Sequence, residues 1–214
     1  MNKLNSSDLE GLFAKIKDIM IENKDWLFEL DSVMGDGDLG LTMTNGFSKI
    51  CETTFSYKEE KIGKLLIKAG MILAENVPST MGTLIATGFM KAGKVSKDKI
   101  EIDLLDLVEM SSAFVEGIMK RGKTKLGEKT VVDSLYPAFE ALKSASESNK
   151  SLKEAFRQAY EAANKGVEAT KKMVSKHGRG VWYGKKSIGK KDPGAVAGML
   201  LVKTFYEYIK EEKI

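Results

Sequence analysis

The sequence has little of the side-chain chemistry that many metal and nucleophile sites need. It contains one cysteine, Cys51, so an intrachain disulfide is excluded and the chain suits a reducing compartment. It contains one histidine, His177, which lies beside a lysine and is interpreted as a solvated residue rather than a catalytic one. With so few nitrogen and sulfur ligands, a zinc site is disfavoured, and the chain offers no covalent anchor for a carbonyl substrate.

Long apolar runs are also missing. No stretch approaches the roughly 18 apolar residues of a membrane span, and the first residues, MNKLNSSDLEGLF, lack the apolar segment of a signal peptide. The 34 basic and 30 acidic residues are mostly interleaved, which is typical of solvated faces. Basic clusters at 120–125 and 185–191 match no nucleic-acid-binding module. We expect a cytoplasmic protein with neither a membrane nor a nucleic acid as partner.

Helical periodicity dominates the chain, and only three prolines interrupt it. No segment alternates apolar and polar residues for long enough to predict a strand. The first helix has a clear apolar stripe, and the spacing of Ser7 and Glu10 matches a capping box. The residues of that stripe are Leu9, Leu12, Phe13, Ile16, Ile19 and Met20.

Seven further stripes bring the predicted count to about eight helices. They lie at approximately 41–55, 60–76, 82–94, 103–120, 130–147, 152–174 and 194–211. Pro137 falls inside one of them and predicts a kink or a helix start nearby. No linker or internal repeat divides the chain, so we predict an all-α bundle with a single domain over residues 1–214.

An acidic, glycine-rich loop is the strongest chemical signal. Residues 30–40 read LDSVMGDGDLG, and the carboxylates of Asp31, Asp36 and Asp38 can turn toward one point. Three converged carboxylates repel one another, and a hard dication such as Mg²⁺ or Ca²⁺ relieves that cost. An EF-hand fits poorly, because Gly40 and Phe47 stand where it needs acidic residues. A plain turn without a ligand remains the alternative.

Two helix starts are candidate phosphate cradles. The sequence LGLTMTNGF after the acidic loop predicts backbone amides and the Thr42 hydroxyl at a helix N-terminus. The sequence PSTMGTL at 78–84 predicts a second such start, which an ordinary helix cap explains as well. A Walker A loop is absent, since GRGVWYGKKS lacks its first glycine. The non-periodic segment 175–193 is long, as functional loops often are.

Four sequence blocks resemble motifs of the nucleotide-binding L subunit of dihydroxyacetone kinase, and they follow one another in the same order as in that family. GDGDLG at 35–40, preceded by Asp31, is similar to the family's D-x-x-x-x-D-x-D-[HL]-G signature. GEKTVVDSLYPA at 127–138 resembles G-D-K-T-M-x-D-x-L-x-P-A, and GRGVWYGKKSIGKKDPGA at 178–195 resembles G-R-x-x-Y-x-G-x-x-S-x-G-x-x-D-P-G-A. MGTLIATGFMKAG at 81–93 is similar, less closely, to the family's S-G-x-L-x-G-T helix.

The resemblance implies a closed barrel of eight antiparallel helices with ADP or ATP and Mg²⁺, in this family two ions, at one end. Its metal ligands fall on Asp31, Asp36 and Asp38, and its catalytic nucleotide-site arginine falls on Arg179. Phosphate and ribose contacts fall on Leu39, Gly40, Leu41, Thr42, Thr80 and Met81. Adenine contacts fall on Gly122 and Val131, and the family's D-P-G turn falls on Asp192, Pro193 and Gly194.

The same resemblance implies a phosphotransferase that acts with partners. A separate K-type subunit would hold the triose, and the phosphate would come from ATP or from a phosphotransferase-system protein acting on bound ADP. Leu39 stands where many members have histidine, and Met81 replaces a serine. Asp133 is interpreted as a structural acid, and Arg179 taken alone is equally consistent with a surface ion pair. A non-catalytic helical module and a magnesium-dependent phosphohydrolase remain alternatives.

Overall fold

A computed structural model describes residues 3–54 and 61–211, and the predicted all-α class is confirmed over them. These residues form nine α-helices, one 3₁₀ helix and two two-residue strands. The elements in chain order are β1 Leu4–Asn5, α1 Ser6–Glu22, α2 Lys24–Ser32, α3 Leu39–Thr54, α4 Ile62–Asn76, α5 Thr80–Val95, β2 Glu101–Ile102, α6 Leu104–Gly122, α7 Val132–Glu147, α8 Leu152–Thr170, the 3₁₀ helix Arg179–Ser187 and α9 Pro193–Glu211. The predicted helix end at 55 and helix start at 60 lie outside the described residues.

The count of about eight helices was wrong because it omitted α2. A single residue, Asn23, separates α2 from α1. The Asn23 side chain donates to the carbonyl of Ile19 at 2.8 Å, and its backbone amide donates to the same carbonyl at 3.1 Å. These bonds satisfy the end of α1 while the chain turns directly into α2. A one-residue break leaves too little polar sequence to mark a boundary.

The capping box of α1 differs from the predicted one. Asn5, not Ser7, is the N-cap: its Oδ1 accepts from the Ser7 and Asp8 amides, and its own amide donates to Asp8 Oδ2 at 2.8 Å. Asn5 is extended because it belongs to β1, which pairs antiparallel with β2, with Leu4 opposite Ile102. The helix therefore begins where this short pairing ends, a constraint that is invisible in the local sequence.

The apolar stripe of α1 is buried as predicted, and an aromatic cluster extends that core across the bundle. Phe89 of α5 meets three other rings edge to face, with centroids 5.7 Å from Phe13, 6.1 Å from Phe47 and 5.3 Å from Phe114. These partners belong to α1, α3 and α6. Edge-to-face pairs add stabilisation beyond simple burial, so the cluster joins four helices. No helix within the described ranges is long and apolar enough to cross a membrane.

Neighbouring helices pack in chain order. From α3 to α9 each helix contacts the next, α9 returns to contact α1, and α1 contacts α3, while α2 lies mainly against α3. An apolar cavity of about 120 Å³ opens among α1, α5, α6, α7, α8 and α9. Glycines allow α4 and α5 to approach closely: a Cβ at Gly63 of α4 would overlap the Gly93 carbonyl of α5, and one at Gly93 would overlap that of Gly63.

Pro137 lies five residues after the start of α7, which agrees with the predicted helix start nearby. Proline has no N–H, so the carbonyl of Asp133, four residues earlier, lacks its helical donor. Gly166 of α8 packs against this same carbonyl, and a Cβ at Gly166 would overlap it. The proline and the glycine together allow α7 and α8 to approach closely.

Gly166→Ala is expected to destabilise the protein by about 1–3 kcal/mol because the new methyl group forces α8 away from α7. Helix propensity alone would give the opposite sign, about 1 kcal/mol of stabilisation. Chemical denaturation monitored by circular dichroism measures the change. Asn164→Ala, at an exposed position on the same helix, is the control and should be close to neutral. A stabilised Gly166→Ala variant would contradict the proposed close contact.

Candidate metal and phosphate site

The acidic loop joins α2 to α3, and its glycines have defined roles. Asp31 lies in the last turn of α2, where its carbonyl accepts from the amides of Met34 at 3.2 Å and Gly35 at 2.5 Å. A Cβ at Gly35 would overlap the Asp31 carboxylate. Gly37 has φ of +74°, a left-handed conformation that favours glycine. The loop therefore folds tightly back over Asp31.

This fold brings the three predicted carboxylates together. Asp31, Asp36 and Asp38 each offer an oxygen, and these oxygens lie within 4.8 Å of one another. Asp31 is partly buried, whereas the other two are exposed. Burial raises the pKa of the Asp31 carboxyl, the nearby charges of Asp36 and Asp38 raise it further, and the Leu39 amide opposes the rise. Three carboxylate oxygens this close together fit a hard dication such as Mg²⁺.

Arg179 faces the same cluster. It begins the 3₁₀ helix, and its guanidinium lies 2.5 Å from Asp36 Oδ2. The Arg179 side chain is about two thirds exposed, with a relative accessibility of 65%. Sequence reasoning left open a surface ion pair or a nucleotide-site role for this arginine. The structure shows an ion pair whose partner is one of the candidate metal ligands.

A cavity of about 440 Å³ extends from the acidic cluster. Its walls come from five segments: 31–39, 78–84, 129–131, 175–180 and 192–194. Four of these segments contain or adjoin the start of an α-helix, namely α3, α5, α7 and α9. Helix N-termini carry partial positive charge and unpaired amides, so their convergence favours an anion in the cavity.

The wall at the start of α5 combines polar and apolar groups. Ser79 is the N-cap, and its hydroxyl accepts from the Gly82 amide at 2.9 Å, so the cap predicted as the simpler explanation is present. Thr80, Met81 and Leu84 follow it along the cavity. Met81 also packs over Gly194, where a Cβ would come within 3.0 Å of the Met81 methyl group.

The wall at the start of α7 is held by Asp133. This buried carboxylate accepts from the amides of Gly127 and Thr130, both at 2.6 Å. The interpretation of Asp133 as a structural acid is confirmed. The turn it stabilises presents Lys129, Thr130 and Val131 to the cavity.

Asp192 caps α9 and carries a strongly perturbed pKa. Its Oδ2 accepts from the Ala195 amide at 2.7 Å, and its own amide donates to the hydroxyl of Thr170 at 3.0 Å. Burial raises the pKa of Asp192 to about 7, against the opposing effects of the Ala195 amide and the Lys129 ammonium. Asp192 is therefore a second acid on the cavity wall that resists ionisation.

The sequence predicted a solvated His177, whereas the structure gives this residue a specific partner. Its Nε2 lies 2.7 Å from Glu128 Oε2, its side chain is about one third exposed, and it lines the cavity. This contact lowers the pKa of Glu128. The two residues are 49 positions apart, so no local sequence pattern could predict the pair.

Most of the residues predicted for the nucleotide site line this cavity. The lining includes Asp31, Asp36, Asp38, Leu39, Thr80, Met81, Val131, Arg179, Asp192, Pro193 and Gly194. Gly40, Leu41, Thr42 and Gly122 are not part of the lining. Gly40 instead packs on the Lys24 carbonyl, Leu41 is half exposed, and the Thr42 amide bonds to the Asp38 carbonyl.

Several residues that line the cavity were not predicted from the sequence. Ser175 and Gly180 belong to the long loop, and Pro78 precedes α5. Lys129 and Thr130 lie inside the recognised GEKT block, which was the available signal, yet neither was assigned a role. Their contribution depends on contacts with segments that are distant in sequence.

Comparisons with known proteins identify the family of this chain. The model of the DAK2 domain matches residues 33–207. The ADP-binding subunit DhaL of the PEP-dependent dihydroxyacetone kinase of Escherichia coli is 31% identical over 97% of this chain and 99% of its own. The corresponding subunit of the PTS-dependent kinase of Lactococcus lactis is 32% identical over 92% of this chain and 94% of its own. The chain belongs to the DAK2-domain family.

A solved structure shows the same fold. The dihydroxyacetone kinase of C. freundii, in complex with AMP-PNP and Mg²⁺, superimposes with a TM-score of 0.75 at 20% identity. The match covers 97% of this chain and 35% of that one. The present chain thus spans about one third of the length of that kinase.

Asp192→Asn is expected to flatten the pH dependence of stability. From pH 3.8 to about 7 the folded protein keeps a proton on Asp192 that the unfolded chain releases. The free energy of unfolding therefore falls as pH rises through this window, and asparagine removes that contribution while still capping α9. Thermal unfolding across the window, without added metal, measures the slope.

Asp25→Asn, at an exposed position on α2, is the control and should keep the wild-type slope. Equal slopes for wild type and Asp192→Asn would show that Asp192 titrates normally.

Proposed function

We propose that this chain is the Mg²⁺- and ADP/ATP-binding subunit of a dihydroxyacetone-type kinase. In this role it presents a phosphoryl group to dihydroxyacetone or a related short sugar held by a separate subunit. The observation that carries the proposal is the convergence of three carboxylates and four helix N-termini on one cavity. Cation ligands and anion-binding amides on one cavity match a metal–polyphosphate complex.

Asp31, Asp36 and Asp38 are the proposed ligands of Mg²⁺, with two ions as the expected number. Magnesium would neutralise charge on the nucleotide phosphates and on the transferring phosphoryl group. The three carboxylates fit this role because the tight loop brings Asp36 and Asp38 to Asp31 and leaves these two open to solvent. Ionisation of Asp31, which its environment disfavours, becomes favourable beside a dication.

Hydrogen-bond donors and one cationic side chain of the protein complete the proposed phosphate site. The start of α5 contributes the hydroxyls of Ser79 and Thr80. The start of α3 contributes the positive end of its helix dipole, while its first amide, that of Leu39, donates to Asp31 Oδ2 at 3.4 Å. Arg179 has one guanidinium nitrogen on Asp36, and its other N–H groups are proposed to bond phosphate oxygens. This arrangement gives Arg179 a catalytic role, since it adds fixed positive charge where negative charge develops.

The apolar part of the cavity is the proposed site of the adenine. Met81, Leu84 and Val131 supply a side wall that suits the face of a base. Gly122 lies behind this wall, where a Cβ would meet Leu84 at 3.2 Å. Its proposed role is therefore to leave room for Leu84 rather than to touch the base directly.

The ring of helix contacts supports a closed barrel as the finer description of the fold. Eight helices, α1 and α3 to α9, contact one another in a continuous circuit, and α2 lies outside it. The nucleotide site is proposed to occupy the end of this barrel where α3, α5, α7 and α9 begin. We further propose that residues 1–214 act as one nucleotide-binding domain.

A partner subunit is proposed to dock over this end. Trp182 has a relative accessibility of 89% and lies three residues after Arg179 in the sequence. Phe28 and Leu41, near the acidic loop, are about half exposed. Residues 171–191 carry eight lysines and arginines and no acid. Exposed aromatic residues with surrounding basic charge are typical of a protein interface, and they favour a partner with an acidic surface. A phosphotransferase-system protein is a proposed phosphate donor for bound ADP.

Asp36→Asn is expected to weaken Mg²⁺-dependent ADP binding by at least about 100-fold, because a metal ligand and the Arg179 contact are both lost. The exposed position predicts a nearly unchanged far-ultraviolet circular dichroism spectrum. Isothermal titration with ADP, with and without Mg²⁺, measures the effect. Native mass spectrometry of the wild-type protein checks for retained ADP and magnesium.

Glu29→Gln, an exposed change on α2, the helix that precedes the acidic loop, is the matched control and should bind ADP as wild type does. Unaltered ADP affinity in Asp36→Asn would count against the site. Phosphate release from ATP without a partner would indicate a phosphohydrolase instead.

Trp182→Ala is expected to reduce affinity for the substrate-holding subunit by roughly 30-fold, which corresponds to about 2 kcal/mol for an aromatic hot spot. ADP affinity should stay unchanged, because Trp182 does not line the cavity. Surface plasmon resonance with the partner subunit measures the loss. Ile100→Ala, an exposed apolar residue beside β2, is the control. Full partner affinity in Trp182→Ala would place the interface elsewhere.

A further inference from the structure

Lys129 is a buried lysine that has no role in the nucleotide site proposed above. Its side chain is 2% exposed although it lies on the wall of a cavity proposed to hold phosphates. A lysine in such a place would ordinarily be assigned to a phosphate. The hydrogen bonds of Lys129 indicate a different role.

The Lys129 ammonium donates to three backbone carbonyls. Its Nζ lies 2.7 Å from the Thr170 oxygen, 2.9 Å from that of Ser187 and 2.5 Å from that of Lys190. A protonated lysine has three N–H donors and a neutral amine has two, so this arrangement requires the charged form and uses every donor. No donor remains for a phosphate oxygen.

The three carbonyls belong to the two ends of one loop. Thr170 ends α8, Ser187 ends the 3₁₀ helix, and Lys190 precedes the start of α9. The Gly189 amide closes the same neck by donating to the Lys171 carbonyl at 2.7 Å. The segment between, residues 172–186, carries Arg179 to Asp36. One buried cation thus fixes both ends of the loop that presents the site arginine.

The backbone of Lys129 is adapted to this task. Its φ is +61°, a left-handed conformation that is unfavourable for a lysine. Asp133 stabilises the conformation, because its carboxylate accepts from Gly127 and from Thr130, the next residue. Burial lowers the pKa of Lys129, and the charges of Asp192 and Asp133 oppose that change. The side chain is thereby directed inward to the loop neck.

We propose that Lys129 is a positioning residue that fixes Arg179 relative to the acidic cluster through the carbonyls of Thr170, Ser187 and Lys190, without touching phosphate. This inference rests on the proposed function, because it concerns the loop that carries the nucleotide-site arginine. It assigns a role that differs from that of a phosphate-binding lysine, and the two roles give opposite results in two experiments.

The first experiment labels amines on the wild-type chain, so it does not depend on a variant that folds. Acylation with acetic anhydride, read by peptide mass spectrometry, should modify Lys129 at least about tenfold more slowly than the exposed Lys125 and Lys190, since every Lys129 donor is buried and used. ADP with Mg²⁺ should leave the Lys129 rate unchanged. Rapid labelling of Lys129 that ADP suppresses would overturn the proposal in favour of a phosphate ligand.

The second experiment is a double-mutant cycle on Mg²⁺-dependent ADP affinity. Lys129→Met keeps much of the side-chain length but removes the ammonium, and it should weaken ADP binding about tenfold. In an Arg179→Ala background the same change should cost less than about twofold, because the residue that Lys129 positions is already gone. Additive losses, or no loss from Lys129→Met alone, would overturn the proposal.

Lys190→Met is the matched control for charge. It removes one positive charge from the same loop, keeps the carbonyl that Lys129 binds, and should change ADP affinity less than about twofold. If the wild-type protein bound no ADP, the proposed function would fail, whereas the labelling experiment would still decide whether Lys129 is fixed at the loop neck.

Discussion

Repulsion among Asp31, Asp36 and Asp38 is the constraint on which the rest of the site depends. Their oxygens lie within 4.8 Å of one another, and such a cluster is costly unless positive charge surrounds it. The fold provides that charge by placing the starts of α3, α5, α7 and α9 around one cavity. Arg179 adds a full positive charge at Asp36. A metal–polyphosphate complex is the ligand that such a balance of charges fits.

Polar side chains with backbone partners hold the loops of this arrangement in place. Asp133 stabilises the turn before α7, and that turn directs Lys129 to the neck of the 171–191 loop. Asp192 caps α9 from the end of the same loop. Each group is satisfied by backbone partners, so the contacts fix main-chain geometry rather than joining two side chains. Through these contacts Lys129 is proposed to set the position of Arg179 without binding phosphate itself.

Much of the fold could be predicted from the sequence, because helical periodicity is local. The α1 stripe is buried as predicted, whereas α2 was missed and the α1 cap was misplaced, since a one-residue break and a β1–β2 pairing leave almost no local signal. In the site, the acidic loop and Arg179 were recognisable from their motifs. Lys129 and the His177–Glu128 pair were not, because their partners lie 41 to 61 and 49 positions away.

The sequence by itself determined the helical class, the acidic trio and the family motifs, since apolar spacing and glycine-hinged carboxylates act over a few residues. The tertiary structure alone decided which helix starts share a cavity, which arginine meets which aspartate, and what the buried lysine binds. Those outcomes depend on long-range packing, such as the contact of Gly166 with the Asp133 carbonyl, which holds α8 close to the start of α7.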